Sequence, residues 1–587
     1  MKTLIEKINN ELKQSFKKLS YDEKLAYLTL SNRPELADYQ INSCFNIAKE
    51  LKQNPMDVAT NISNCIRDLK IDEKRVFSSV DAAKPGFVNV KLSDEVLYDY
   101  CMENFLDANI EIDNSILESM PKCILLDYGG ANVAKPLHVG HLRVAVIGEA
   151  LKRLYNKLHI KTISDVHLGD FGLQMGLVIE ELKDENKVDD FTVSNLEVIY
   201  PKASLRAKGD EKNNIAPDVE FNERAHLATK KLQNNVEPET SIWKRILEIS
   251  VEDLKKRYSE LNVEFDYYYG ESTVKDIMDP MVDDMIKNKI AYESNGAYVI
   301  DVKKDTDKKE MPPCIVRKSD GATLYATSDL ATIKFREENF KADEYVYVVD
   351  KRQSLHLEQC FRAAKIAGLT TDKKTFYHVA VGTMNGNDGK PFKSRDGGVV
   401  KLETLINDAY SKALMQLESS NRNIDDIDKN KVAKIIGIAA LKYGDLSNSP
   451  TRDYIFDLTK FLSFEGNTGP YILYSIVRIK SIFEKLEKVT LDNDVKPVSD
   501  ENIHNILLMC IKYTDILVEA YKYYDPSIIC KFVYELANYF NSFYHEHNII
   551  NEADSGIKQF YINICKMVDN ILRDAFSILA IDIPERM

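Results

Sequence analysis

The sequence predicts a multidomain α/β protein in three parts. These are an N-terminal α/β module, a Rossmann-type parallel-sheet domain interrupted by a helical insertion, and an all-α C-terminal helix bundle. Three observations carry this. The chain has 587 residues, 44% of them hydrophobic, enough for three or four domain-sized cores. Short apolar runs alternate with longer helical patterns from Ile124 to about Thr404, as a parallel sheet with crossover helices requires. Beyond about residue 430, Tyr and Ile recur at helical spacing with few glycines.

Each part can be justified in order. Residues 1–115 hold helical segments rich in Lys and Asn and then a β-like run, Gly86 to Leu92. Phe87 and Asn89 alternate on that run. On the residues alone they read either as a core aromatic beside a turn residue or as a pair that stacks on and hydrogen-bonds to an unpaired base. Residues 116–405 form the second part, with strands expected at Cys123 to Leu126, Lys161 to Val166, Tyr345 to Val349 and Tyr377 to Val381. A charged, helical insertion is expected from about Val178 to Phe265; it contains Trp243, the chain's single tryptophan, read as a core residue. Residues 406–587 form the helical third part, without strands, in which Phe456, Phe461 and Tyr471 read as core and Tyr544 reads as either packing or a base-stacking surface.

Composition narrows the function classes. No run of 18 apolar residues appears, and the opening Met-Lys-Thr-Leu-Ile-Glu-Lys is too charged for a secretory segment, so no membrane span and a cytoplasmic address are expected. Nine cysteines without a Cys-x-x-Cys pair argue against a zinc ribbon or a disulfide framework. A net charge of −14 means that any nucleic-acid contact must come from local basic patches.

The most informative stretch is Tyr128-Gly-Gly-Ala-Asn132-Val-Ala-Lys135-Pro-Leu-His138-Val-Gly140-His141-Leu-Arg143, where the first apolar strand hands over to an amphipathic helix. A helix start aims free backbone N–H groups at an anion. His138 and His141, three apart, present both imidazoles to one side, and Gly140 leaves room against the backbone for a nucleotide. Donors so placed would stabilise charge building on an α-phosphate under attack. A bare His-x-Gly-His reads more readily as two surface or capping histidines beside a packing glycine, so its context has to decide.

That context resembles the His-Ile-Gly-His signature of class I aminoacyl-tRNA synthetases, in the form used by arginyl-tRNA synthetases. Further matches follow in the family's order: Gly169-Asp170-Phe-Gly-Leu-Gln174, Gly270-Glu271-Ser272, Leu324-Tyr325-Ala-Thr-Ser-Asp329, Gln353-Ser-Leu-His356, Gly389-Lys-Pro-Phe-Lys393-Ser-Arg395-Asp-Gly-Gly398, and Ser463 to Tyr471. With Pro85-Gly-Phe-Val-Asn89 and the terminal Pro584-Glu-Arg-Met587, the likeness spans the chain.

The resemblance implies arginine activation by ATP and transfer to tRNA(Arg), in a protein expected to be a monomer. It implies that His138, His141, Lys135, Lys393 and Arg395 stabilise the phosphates, with Gly140 and His356 on the ATP side. Asn132, Glu271, Tyr325, Asp329 and Gln353 are implied to choose L-arginine. Phe87 and Asn89 are implied to meet the tRNA elbow, and Tyr544 and Met587 the anticodon loop. Mg²⁺ is expected to enter with ATP, with no protein metal cage and no tightly bound cofactor.

The side-chain chemistry fits those assignments. A guanidinium offers five donors in a planar fork, so opposed carboxylates can bind it bidentately and reject neutral isosteres. Tyr325 and Asp329, four apart, share one helical face; without the flanking match they would read as a solvated face or a cap. Asn132 and Gln353 could orient an α-ammonium without burying more charge. His356 reads as an adenosine neighbour or as a structural histidine. The 389–398 stretch occupies the place of the Lys-Met-Ser-Lys-Ser loop, but Ser394 stands where that motif has its second lysine, and Lys135 could supply the missing ammonium.

Overall fold

The computed structural model describes residues 3–112, 117–118, 120–210, 213–319, 321, 324–392, 400–419, 426–486 and 495–587. The N-terminal part opens on helix Leu4–Lys18, whose start is closed by a reciprocal Thr3/Glu6 capping box. A four-stranded antiparallel sheet follows, in the order Thr29–Leu30, Tyr39–Ile41, Phe87–Leu92, Phe77–Ala83. Strand Phe87–Leu92 alternates strictly: Val88, Val90 and Leu92 are buried, while Phe87, Asn89 and Lys91 face outward.

The second part is built on four parallel strands in the order Thr375–Val381, Glu344–Asp350, Cys123–Asp127, Lys161–Asp165. Ile124, Leu125 and Leu126 are completely buried, as expected where helices cover both faces. The strand order reverses between Cys123–Asp127 and Glu344–Asp350, and the crevice beyond the carboxyl ends of such a pair is where an open α/β sheet binds ligands. Helices Leu173–Asp184, Val193–Lys208, Val219–Gln233 and Glu239–Glu260 make the insertion. A three-stranded antiparallel sheet, Tyr292–Ser294, Ala297–Ile300 and Cys314–Arg317, lies between the insertion and the third parallel strand, and the sequence pattern did not anticipate it. Its strands are three or four residues long, too short to show a period.

The third part is helical: Leu402–Ser419, Asp426–Leu446, Gly469–Leu486, Glu501–Tyr523, Ser527–Glu546 and Ser555–Ile578. The expectation of no strand here needs one correction, because Tyr454–Ile455 pairs in parallel with Met384–Asn385. A two-residue strand gives no sequence signal of its own; it forms because the chain returns beside the sheet domain. Buried charge holds the parts together. Arg143, 2% exposed, pairs with the fully buried Asp445 at 3.2 Å and donates to the carbonyls of Arg452 and Ser449 at 2.7 and 3.0 Å. His504 of the helical part bridges Asp38 and Asp94 of the N-terminal part at 3.1 and 2.6 Å.

Candidate active site

The loop after strand Cys123–Asp127 turns through Gly129 and Gly130, with φ of +96° and +60°, and ends at His138, the N-cap of helix Val139–Lys157. His138 Nδ1 accepts the Gly140 N–H at 3.0 Å, and His141 Nδ1 accepts the His138 N–H at 3.0 Å. The ring centroids lie 3.9 Å apart. A Cβ at Gly140 would sit 2.9 Å from His138 Cε1, so glycine is what lets that ring fold back over the helix start. Burial, and then the neighbouring charges of Lys135 and Arg352, holds the His138 ring below the usual histidine range. Burial and the His138 charge push His141 down to about 3. Both rings are therefore neutral near pH 7, and because each Nδ1 accepts, each ring proton belongs on Nε2, a donor.

Two cavities flank this turn. One, of about 310 Å³, is lined by His138, Gly140, Asp350, Arg352, Gly382, Met384 and Phe392. The other, of about 430 Å³, lies over the sheet's switch point and is lined by Asp127, Gly130, His167, Tyr325, Asp329, Tyr347, Gln353 and His356. Tyr325, 77% exposed, also borders an adjoining recess formed with Asn132, Lys135, Gly169, Gln174 and Glu271.

The recess is pinned by its own loops. Asp170 accepts from the Ser272 N–H at 3.0 Å and from the Ser272 hydroxyl, which fixes Glu271 between them. Gly169 and Gly270 permit the approach: a Cβ would fall 2.2 Å from Asn132 Oδ1 at the first and 2.5 Å from the Asp170 carboxyl at the second. Trp243, expected in the core, is half-buried and donates to the Asp170 carbonyl at 2.8 Å. Burial raises the Glu271 carboxyl to about 7, against the lowering effect of His167, and the charges of Asp170 and Asp329 add to the rise.

Under the larger cavity, the buried Arg336 reaches Asp127 and Asp165 at 2.8 Å each and donates to Tyr347 at 3.3 Å. It ties the carboxyl ends of three parallel strands together.

The structure thus brings Asn132, Glu271, Tyr325, Asp329 and Gln353 around one pair of joined cavities, beside His138 and His141. Lys135 stands at the recess with its ammonium 4.6 Å over the Tyr200 ring. His356, expected beside ATP, lines the larger cavity and turns to Asp329, Nε2 to Oδ2 2.5 Å, where the two side chains meet over the strand ends. Burial opposes a charged His356, but its hydrogen bond to Asp329 raises it above the usual histidine range. Lys393 and Arg395 lie outside the described residues. Two residues escaped the sequence reading. His167 lines the acidic cavity, and neither ring nitrogen has a hydrogen-bond partner among the described residues. Arg352, held by Asp350 at 2.8 and 2.7 Å, borders the His138 cavity.

The distant RNA-side candidates sit on outward faces. Phe87 packs edge-on against Phe45 at 5.1 Å, and Asn89 Oδ1 accepts from Gln40 at 2.8 Å. The Arg478 guanidinium lies between the Tyr474 and Tyr544 rings at 4.7 and 4.8 Å. Met587 is half-buried against the helical core.

Comparison with known proteins agrees part by part. Residues 2–92 match the arginyl tRNA synthetase N terminal domain, residues 108–458 the class I (R) tRNA synthetase catalytic domain, and residues 472–587 the DALR anticodon binding domain. The chain is 42% identical to an arginine–tRNA ligase of Agathobacter rectalis and 41% identical to one of Alkaliphilus oremlandii, over 100% of both chains in each case. Solved arginyl-tRNA synthetases of Plasmodium falciparum (TM-score 0.80, 24% identity) and Thermus thermophilus (TM-score 0.78, 20% identity) share its fold over 100% of both chains. With three family domains in sequence around paired histidines and an acidic crevice, the chain belongs to the arginyl-tRNA synthetase family of class I.

Proposed function

We propose the following division of labour for this chain's activity, the ATP-driven ligation of L-arginine to the 3′ end of tRNA(Arg). ATP lies in the cavity of His138, Gly140 and Met384, and arginine lies across the acidic cavity and its recess. Glu271, Tyr325 and Asp329 take the guanidinium, and Asn132 and Gln353 orient the α-ammonium. The arginine carboxylate then attacks the α-phosphorus and pyrophosphate leaves. The Nε2–H donors of His138 and His141 stabilise the charge that develops, with Lys135, Lys393 and Arg395 as the cations of the leaving group. The terminal adenosine hydroxyl next attacks the adenylate carbonyl and releases AMP. No covalent enzyme intermediate is needed.

Mg²⁺ bound to the phosphates supplies charge neutralisation. The donor set suits a metal delivered by ATP rather than by a protein cage, since Asp350 at the cavity rim is already taken by Arg352. Phe87 and Asn89 contact the tRNA elbow, and Tyr544 and Met587 the anticodon loop. No helix among the described residues is long and apolar enough to cross a membrane. We place the chain in the cytoplasm as a monomer.

One observation carries the reading. Glu271 and Asp329, 58 positions apart, line adjoining cavities that meet at Tyr325, beside the histidine turn. The test is exchange of labelled pyrophosphate into ATP, with and without tRNA, against arginine, lysine and citrulline. Arginine alone should support exchange. Citrulline accepted as readily would overturn the carboxylate pocket.

A further inference from the structure

Among the described residues, Asp329, His356 and Cys360 place one ligating atom each within 4.8 Å of the others. His356 Nε2 is 2.5 Å from Asp329 Oδ2 and 3.8 Å from Cys360 Sγ. The grouping follows from the fold. His356 and Cys360 are four apart on helix Ser354–Ile366 and share its face, and Asp329 comes from the facing helix Tyr325–Asn339. A second buried thiol, Cys314 on strand Cys314–Arg317, stands beside Cys360, outside that group of three. Both thiols are buried, while the Asp329 and His356 side chains are each 31% exposed toward the cavity, which leaves an entry path.

One carboxylate, one imidazole and one thiol, with a second thiol beside them, are suitable donors for a borderline-soft cation in a tetrahedral site. Mg²⁺ and Ca²⁺ demand oxygen ligands and are poorly served by it. Tetrahedral bonds of about 2.0–2.3 Å set ligand edges of about 3.3–3.8 Å. The Asp329–His356 contact would open by about an ångström, the His356–Cys360 separation of 3.8 Å already fits, and Cys314 would turn in to take the fourth position.

We propose that these residues form a binding site for a zinc-class divalent cation, and that a bound cation excludes arginine. The exclusion rests on the reading of Asp329 as a guanidinium acceptor, because one carboxylate cannot serve both ligands. The thiols give up protons to become thiolates and the imidazole must be neutral, so binding releases protons to solvent and weakens in acid. The titratable groups that face the cluster are Asp127, His167, Tyr325 and Tyr347 across the cavity, with Glu271 in the adjoining recess.

The test uses the reduced, full-length protein and Co²⁺ alone as a spectroscopic probe, followed by displacement with Zn²⁺. The expected result is a tetrahedral spectrum with thiolate-to-cobalt charge transfer, lost in Cys360→Ser and Cys314→Ser. Zn²⁺ affinity should fall at least about tenfold in each variant. Arginine-dependent exchange, run with excess Mg²⁺ and a zinc-selective chelator, and the melting transition should stay near wild type in both, which also checks their folding. Saturating arginine should displace the cation from the wild-type protein. The same cobalt spectrum in wild type and both serine variants, or a spectrum without thiolate bands in an enzyme that activates arginine normally, overturns the proposal alone. A thiolate site whose occupancy arginine does not affect overturns the exclusion together with the placement of arginine on Asp329.

Discussion

With Glu271 as the proposed guanidinium acceptor, its raised carboxyl predicts a calculable pH dependence of arginine recognition. With its pKa at about 7, the group is about one-tenth ionised at pH 6 and about nine-tenths ionised at pH 8. The guanidinium stays charged throughout and needs the carboxylate, so the proton competes with arginine. Free-enzyme protonation governs kcat/KM, which should therefore fall about tenfold for arginine from pH 8 to pH 6. His141, pushed down to about 3, cannot contribute to that window. His356, raised by Asp329, can, and with the same sign, because its deprotonation also frees Asp329. Glu271→Gln separates the two. It should lower kcat/KM for arginine at pH 8 by about a hundredfold, from the roughly 2–5 kcal/mol that loss of one partner of a desolvated charge pair costs. It should also remove most of the slope. The assay is pyrophosphate exchange at saturating ATP with tRNA present, from pH 5.5 to 8.5 at constant ionic strength. A flat wild-type profile, or an undiminished slope in the glutamine variant, would refute the reasoning.

Three further perturbations test the surrounding structure. Gly140→Ala should cut the exchange rate at least about tenfold by displacing the His138 ring, whose Cε1 lies 2.9 Å from the added Cβ. Its melting temperature should hold or rise, since alanine favours a helix, and wild-type activity would contradict the role of the folded-back ring. Arg143→Ala should destabilise the protein by about 3–5 kcal/mol in denaturant unfolding, because it strands the buried Asp445; adding Asp445→Asn should restore part of the loss, and strict additivity would deny the coupling. His504, raised to about 9 by its hydrogen bonds to Asp38 and Asp94 against the effect of burial, contributes stability that is complete below about pH 6.5 and lost as pH rises through 9. At most about 3 kcal/mol is involved, and His504→Gln should abolish that alkaline slope in thermal melts.

Much of the architecture was legible because the deciding signals were long. Three of the four parallel strands are largely apolar runs, the insertion helices keep a helical period over 12 to 22 residues, and the histidine turn carries its glycines in the chain itself. The antiparallel strands at 292–317 and the pair at Tyr454–Ile455 were not legible, because strands this short exist only through their partners. The site divides in the same way. Tyr325 and Asp329 share a helix, so their spacing announced a common face. His356 could be placed on its helix face, but not opposite Asp329, because that meeting depends on how two helices pack. Arg352 and His167 had no motif beyond a loop position. They became visible only when the strand ends brought them beside His138 and over Asp127.

The charge arithmetic at those strand ends explains why this crevice suits a cation and why it was assembled there. Asp127 and Asp165 end neighbouring parallel strands, where side by side they would repel, and Arg336 between them offsets one of the two charges. The remaining negative charge cannot be solvated from below, because Arg336 and Asp165 are 1% exposed. It faces the cavity, where Asp329 adds to it whenever its partner His356 is deprotonated. A neutral ligand would leave that excess uncompensated in a poorly hydrated site, whereas a guanidinium cancels it while donating to several acceptors at once. By the same argument Glu271 rests partly protonated until the cation arrives: a further full charge is too costly in the free crevice and becomes favourable only when arginine enters.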